Sequence, residues 1–283
     1  MFIEINWDSL SEHYKVIPNE TTIIQQDQEA NCMYVLIRGS LAIIRNEIQI
    51  AIMDSSFEYI GEISFLTNKR HSATVISKSE CTILELKIEL FEKYLKSNAN
   101  LTISIAQNLA RRLVEQNAQL SKAMENSSQE IDYHLNSENL LPSFDLLKLK
   151  HLFKEFRPNV NFIEEGCKPR ALYILVEGEI SIIKHGNLLA IESTPGYYIG
   201  EVAILRNSLA NASVRCNTPT TMIEIPIEKV EYFLIHSPEV GLDMSRKLAK
   251  RILVINDEFL NLLEEMKKRG RKNIPNYWNP LVF

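Results

Sequence analysis

Residues 59–75 read YIGEISFLTNKRHSATV, and residues 198–214 read YIGEVAILRNSLANASV. The Tyr-Ile-Gly-Glu start, the short apolar run and the closing small residues recur at one fixed offset. MYVLIRGSLAIIRN (33–46) pairs with LYILVEGEISIIKH (172–185) at the same offset, so Gly39 and Gly61 are spaced as Gly178 and Gly200 are. The register continues into IAQNLARRL (105–113) and MSRKLAKRI (244–252). A repeat of this length means a duplicated domain; solenoid units are far shorter.

Each copy has the same grammar. TTIIQQ, MYVLIR, LAIIRN, QIAIMD, SATVIS and TILELK are short, β-branched and divided by polar or glycine turns, which predicts an all-β sandwich or barrel. Helical periodicity follows, with Ile105, Leu109, Leu113 and Leu120 on one face in the first copy and Leu248, Ile252, Ile255 and Leu262 in the second. The polar stretch between the copies sets a boundary between 128 and 141. Beyond it Pro142 and Ser143 are placed to start a helix over FDLLKLKHLFKEF. The expected division is therefore 1–127 for the first domain, 128–142 for a linker, 143–269 for the second domain and 270–283 for an aromatic tail. The second copy has Gly166, Gly186 and Gly196 where the first has Asp27, Glu47 and Phe57. Glycine supplies positive φ at hairpin turns, so the first copy is expected to turn differently there.

Composition limits the function. The 283 residues carry 31 basic and 36 acidic side chains, which gives no general attraction to nucleic acid or anionic membrane. The acidic start MFIEINWDSLSE lacks a signal peptide's charge pattern, and no run of about 18 apolar residues occurs. Cys32, Cys81, Cys167 and Cys216 are scattered, as in proteins of a reducing compartment, so a cytoplasmic location is expected. No nucleophile triad, nucleotide-binding glycine loop or metal-ligand spacing is present, and the expectation is a protein without catalysis.

A β-barrel with one glycine, then a Gly-Glu pair at the spacing of Gly39 to Gly61, then a small-residue stretch ending in Ala-Thr-Val or Ala-Ser-Val before terminal helices, resembles the cyclic-nucleotide-binding domain. In that family, which includes cyclic-AMP-dependent kinase regulatory subunits and catabolite-activator-type regulators, this stretch is a phosphate-binding cassette. The resemblance implies two jelly-roll barrels, each followed by helices, and a small-molecule ligand such as cAMP or cGMP. It implies ligand contacts at Gly61, Glu62, Ile63, Ser64, Arg70, His71, Ser72 and Thr74, and at Gly200, Glu201, Val202, Ala203, Asn211 and Ser213. The family's glutamate binds the ribose hydroxyl, and its arginine, ten positions after the glycine, pairs with the phosphate.

Both copies depart at that arginine. His71 stands there in the first, preceded by Arg70, and Ala210 in the second. Losing a charge-assisted bond to phosphate costs roughly 2 to 4 kcal/mol, on the order of 30- to 1,000-fold in affinity. Three readings stay open: a cyclic-nucleotide sensor signalling to a separate effector protein, a sensor of a nucleoside or other uncharged ligand, and a degenerate scaffold.

Lys69-Arg70-His71-Ser72 also reads as a basophilic kinase site, although a place inside a cassette favours coincidence. KKRGRK reads as a solvated helix end, and the stretch after Gly270 is too short for a helix-turn-helix, so no direct DNA binding is expected. The aromatic NYWNPLVF is expected to fold back on the second domain, where Tyr277 or Trp278 could cap a ligand's base.

Overall fold

The structure is a computed structural model that describes residue 5 and residues 7–89, 91, 94, 100–125 and 145–268. The first barrel runs β1 Tyr14–Ile17, β2 Thr22–Ile24, β3 Cys32–Arg38, β4 Leu41–Arg45, β5 Ile48–Met53 and β6 Glu58–Ile60. The short helix α1, Glu62–Thr67, then precedes β7 Thr74–Ser77 and β8 Cys81–Lys87, and the long helix α2 occupies Asn100–Glu125. The second runs β9 Phe153–Phe156, β10 Asn161–Ile163, β11 Ala171–Glu177, β12 Ile180–Lys184, β13 Asn187–Glu192 and β14 Tyr198–Ile199. Helix α3, Glu201–Leu205, precedes β15 Ser213–Cys216 and β16 Thr220–Pro226, after which come α4 Ile227–His236 and α5 Pro238–Lys268.

Each barrel is two four-stranded antiparallel sheets. The orders β1-β8-β3-β6 and β2-β7-β4-β5 in the first become β9-β16-β11-β14 and β10-β15-β12-β13 in the second. The alternating apolar residues point between the sheets and make the core. Ile24, Tyr34, Leu36, Leu41, Ile60 and Val75 fill the first, and their counterparts in the repeat, Ile163, Tyr173, Leu175, Ile180, Ile199 and Val214, fill the second. The expected helical faces are buried as well, from Ile105 to Leu120 and from Leu248 to Leu262.

The chain divides into two compact units. One holds the second barrel with Thr102–Arg111 of α2 and the part of α5 up to Arg251. The other holds the first barrel with α2 from Arg112 and α5 from Ile252.

Two expectations are corrected. FDLLKLKHLFKEF is not one helix: a single 3-10 stretch, Leu146–Leu152, is capped by the Asp145 carboxylate accepting from the Leu147 N–H, and Phe153–Phe156 is strand β9, paired with β16. The β-ladder outcompetes helical spacing there because Phe156 packs against Phe162 and Tyr173. The first barrel also does not turn differently at Asp27, Glu47 and Phe57. They take φ of 66°, 67° and 67°, the left-handed conformation of Gly166, Gly186 and Gly196. The interdomain boundary, Ser143, the basic stretch from Arg269 onward and the aromatic tail lie outside the described residues.

Candidate functional site

The cassette starts where a strand must become a helix within one residue. Gly61 (φ 74°) and Gly200 (φ 83°) make that turn in the left-handed region, where a side chain is strained. Glycine also opens space: a Cβ on Gly61 would lie 2.9 Å from Ile24 Cδ1 and 3.0 Å from His71 Cε1. The His71 ring therefore packs where the glycine has no side chain.

Glu62 and Glu201 open α1 and α3, and both are buried. Each meets an arginine on a long helix. Arg112 of α2 donates to Glu62 Oε1 through a short contact, and Arg251 of α5 donates to Glu201 Oε1 at 2.5 Å. Arg112 and Arg251 are themselves equivalent positions of the repeat, so the pair is duplicated with the fold. Burial pushes the Arg112 guanidinium down to about 10, against the upward pull of Glu58 and Glu115. At Arg251 burial also pushes down, but Tyr197, Glu201 and Glu192 outweigh it and hold the guanidinium above its ordinary value. Burial in turn pushes the Tyr197 hydroxyl up to about 12.

The place of the family's arginine is pinned identically in both barrels. The His71 N–H donates to the Gln28 carbonyl and its own carbonyl accepts from Asp27, at 2.9 and 2.8 Å. Ala210 makes the same two bonds, to Cys167 and from Gly166, both at 2.9 Å. Both side chains are buried, and burial pushes the imidazole of His71 below its ordinary 6.5, so at neutral pH it is uncharged. Arg70 is exposed, its Nη1 donating to the Asp27 carbonyl at 2.9 Å. It lies at the surface of the turn.

The remaining expected residues serve the cassette's own frame. Ile63 and Ala203 are buried in their helical turns, Val202 is half-buried, and Ser64 Oγ donates to the Arg70 carbonyl at 3.3 Å. Ser72 is half-buried and Asn211 exposed. Thr74 Oγ1 accepts from the Gln26 N–H at 3.0 Å, and Ser213 Oγ accepts from the Glu165 N–H at 2.9 Å. These equivalent bonds tie the end of each cassette to the chain after β2 or β10.

A family model described as the cyclic nucleotide-binding domain matches residues 14–98 and again residues 153–237. The chain belongs to that family. It is a tandem cyclic nucleotide-binding domain protein, and both segments coincide with a barrel and its cassette. It is 25% identical over 114 residues to the cAMP-activated global transcriptional regulator CRP of Salmonella typhimurium, covering 38% of this chain and 54% of that protein. It is 22% identical over 236 residues to the cAMP-dependent protein kinase regulatory subunit of Schizosaccharomyces pombe, covering 73% of this chain and 52% of that one. The chain thus spans about half the length of the curated relatives it matches. Among solved structures, the regulatory domain of Toxoplasma gondii PKA with cAMP overlaps 80% of this chain and 82% of its own, with a TM-score of 0.28 and 17% identity. A Trypanosoma cruzi cAMP-independent protein kinase A regulatory subunit bound to guanosine overlaps 91% and 82%, with a TM-score of 0.31 and 18% identity. The two family-model matches carry the assignment.

Arg112 and Arg251 do not stand out in the sequence as partners of the cassette, because at helical spacing they look like solvated flanks of an apolar face. Their signal is positional: an arginine lies fifty residues after the cassette glutamate in both copies. Among the described residues no His, Cys, Asp and Glu cluster could hold a metal, and no helix is long and apolar enough to cross a membrane.

Proposed function

We propose that the chain is a two-module ligand sensor, acting by binding and signalling to a separate effector protein, and that its cassettes take a ligand uncharged where a cyclic nucleotide carries phosphate. A nucleoside fits this description. The observation that carries the reading is the charge at each cassette. The residue in the phosphate position is a neutral buried histidine or an alanine, and the arginine that each long helix brings to its cassette is already paired with the glutamate. Further carboxylates act on that arginine, Glu58 and Glu115 in the first unit and Glu192 in the second, which makes the surroundings unfavourable to another anion.

The same pair supplies the route from ligand to helix. A ribose hydroxyl that binds Glu62 or Glu201 changes what the carboxylate offers to Arg112 or Arg251, and with it the position of α2 or α5. Such coupling requires that the ligand bind one helix arrangement more tightly than the other.

Titration calorimetry with adenosine, guanosine, cAMP and cGMP tests the reading. Nucleosides should bind, and the cyclic nucleotides should bind more weakly by about 30-fold or more, the equivalent of one missing charge-assisted bond. Tighter binding of cAMP or cGMP than of any nucleoside overturns the uncharged-ligand reading. No binding by any of the four leaves the domains as an interaction scaffold.

A further inference from the structure

His71 is 6% exposed, and among the described residues nothing hydrogen-bonds its ring. Its backbone is held on both sides, by Gln28 and Asp27, so the turn sets the direction of the side chain. That direction is toward the start of the cassette. A Cβ on Gly61 would lie 3.0 Å from Cε1 and 3.4 Å from Nδ1 of the ring, and Glu62 is the next residue. Buried polar groups are as a rule hydrogen-bonded, and an imidazole without a protein partner leaves that bond to water or to a bound molecule.

The ring is also isolated from charge. Around it stand Glu62 at the start of α1, Asp27 and Glu29 in the turn after β2, and Lys69 and Arg70 just before it. Glu62 is paired with Arg112, and the other four are exposed. None of them moves the imidazole from its ordinary value, since burial is the one cause that acts on it. With no fixed charge in command of the ring, its protonation responds to the charge of whatever binds beside it. The second cassette has Ala210 at the equivalent point, which cannot titrate.

A neutral imidazole has one donor and one acceptor nitrogen, whereas the protonated ring has two donors. A hydroxyl both donates and accepts, so it suits the neutral ring. The phosphate of a cyclic nucleotide only accepts; it meets a lone pair on one nitrogen of the neutral ring, but two donors and an opposite charge on the protonated one. We propose that His71 is the specificity residue of the first cassette and that its protonation selects the ligand. The neutral ring takes a nucleoside through its hydroxyls, and the charged ring takes a cyclic nucleotide through its phosphate. This rests on the reading that the cassettes take a nucleoside at neutral pH. The gate belongs to the first cassette alone.

Calorimetric titration of the full chain with adenosine and cAMP at pH 7.5 and pH 6.0 tests the gate, since neither ligand titrates in that range. In the wild type, cAMP affinity relative to adenosine should rise by about 5-fold or more at the lower pH, because a bound anion raises the imidazole's pKa and binding takes up a proton. Repeating the cAMP titration in buffers of different ionisation enthalpy counts that proton. His71→Gln keeps a donor and an acceptor but cannot be charged, so its cAMP-to-adenosine ratio should be the same at both pH values. Thermal unfolding without ligand reports whether it folds, and His71→Ala, the residue of the second barrel, serves with the same expected result if it does not. A wild-type ratio that stays constant with pH, or a rise that persists in the folded variant, overturns the gate while the nucleoside reading stands. Failure of the wild type to bind adenosine at pH 7.5 overturns both.

Discussion

Arg251 donates to Glu201 at 2.5 Å across fifty residues of chain, and Arg112 reaches Glu62 across the same fifty. The duplication has preserved a link, buried at its carboxylate end, between a short cassette helix and a long terminal helix, while His71 of one copy is Ala210 in the other. The link is needed whatever the ligand is, because a cassette carboxylate left alone in this environment would be an uncompensated charge.

Removing one partner of the link should therefore be worse than removing both. Arg251→Met is expected to destabilise the protein by about 3 kcal/mol, with Glu201→Gln/Arg251→Met regaining much of that loss. Thermal unfolding of the two singles and the double measures it. Additive losses in the double variant would mean that the two side chains do not depend on each other.

His71 gives a stability profile with a definite sign. Burial lowers its folded-state pKa below the ordinary 6.5, so the unfolded chain binds the proton more readily. The contribution is fully present above about pH 6.5 and declines as pH falls from there toward the folded pKa. The difference in unfolding temperature between wild type and His71→Gln should shift against the wild type between pH 7 and pH 5.5. A difference independent of pH over that range contradicts a buried neutral imidazole.

Glu47 holds a φ of 67° at the turn between β4 and β5, where the second barrel has Gly186 at 80°. A left-handed residue with a Cβ costs about 1 to 2 kcal/mol relative to one without. Glu47→Gly should accordingly raise stability by up to about 1 kcal/mol, the rest being lost to the greater freedom of glycine in the unfolded chain. Gly186→Ala in the other barrel should do the reverse. Open space surrounds Gly186, so any cost there is backbone strain.

These turns mark the limit of what the sequence revealed. The barrels are legible because alternation, glycine spacing and one constant offset agree across two copies. Asp27, Glu47 and Phe57 are not, since a ladder fixed on both sides imposes the turn on whatever residue occupies it. Phe57, for one, gains a stacked contact with Trp7, ring centroids 5.1 Å apart. In the cassettes, Gly61, Glu62, Gly200 and Glu201 can be named from the motif. The arginines that pair with the glutamates cannot, because the pairing joins segments fifty residues apart and helical periodicity says only which side of α2 or α5 is buried. Strand β9 reads as helix for a related reason: its pairing partner β16 lies at the far end of the barrel's sequence, beyond the reach of any local pattern.

Close packing at Gly241 on α5 yields another test. A Cβ there would come within 2.8 Å of Thr102 Oγ1, in the same compact unit, beside the bond from Ser245 Oγ to the Thr102 carbonyl. Gly241→Ala should destabilise by about 1 to 3 kcal/mol despite alanine's better helix propensity, because overpacking outweighs a gain of about 1 kcal/mol. Adding Thr102→Ala removes the obstructing hydroxyl and should restore part of the loss. A stabilised Gly241→Ala variant would mean that the helices move apart without cost.

The last prediction concerns the vacated cation. His71 and Ala210 are held by equivalent backbone hydrogen bonds, so an arginine at either place starts from the same point of its turn. Ala210→Arg faces the lower barrier, since it replaces a small side chain and leaves the Arg251 link to Glu201 untouched. It should strengthen binding of cAMP relative to adenosine by about 30- to 150-fold, the range of a bond worth about 2 to 3 kcal/mol, because only the cyclic nucleotide carries the matching anion. His71→Arg should act in the same direction but less strongly, as the ring fills the space left by Gly61 and a longer side chain has to leave it. Calorimetric titration of each variant with both ligands decides the matter. Equal gains for cAMP and adenosine would show that the substitution reshapes the pocket without restoring a phosphate contact.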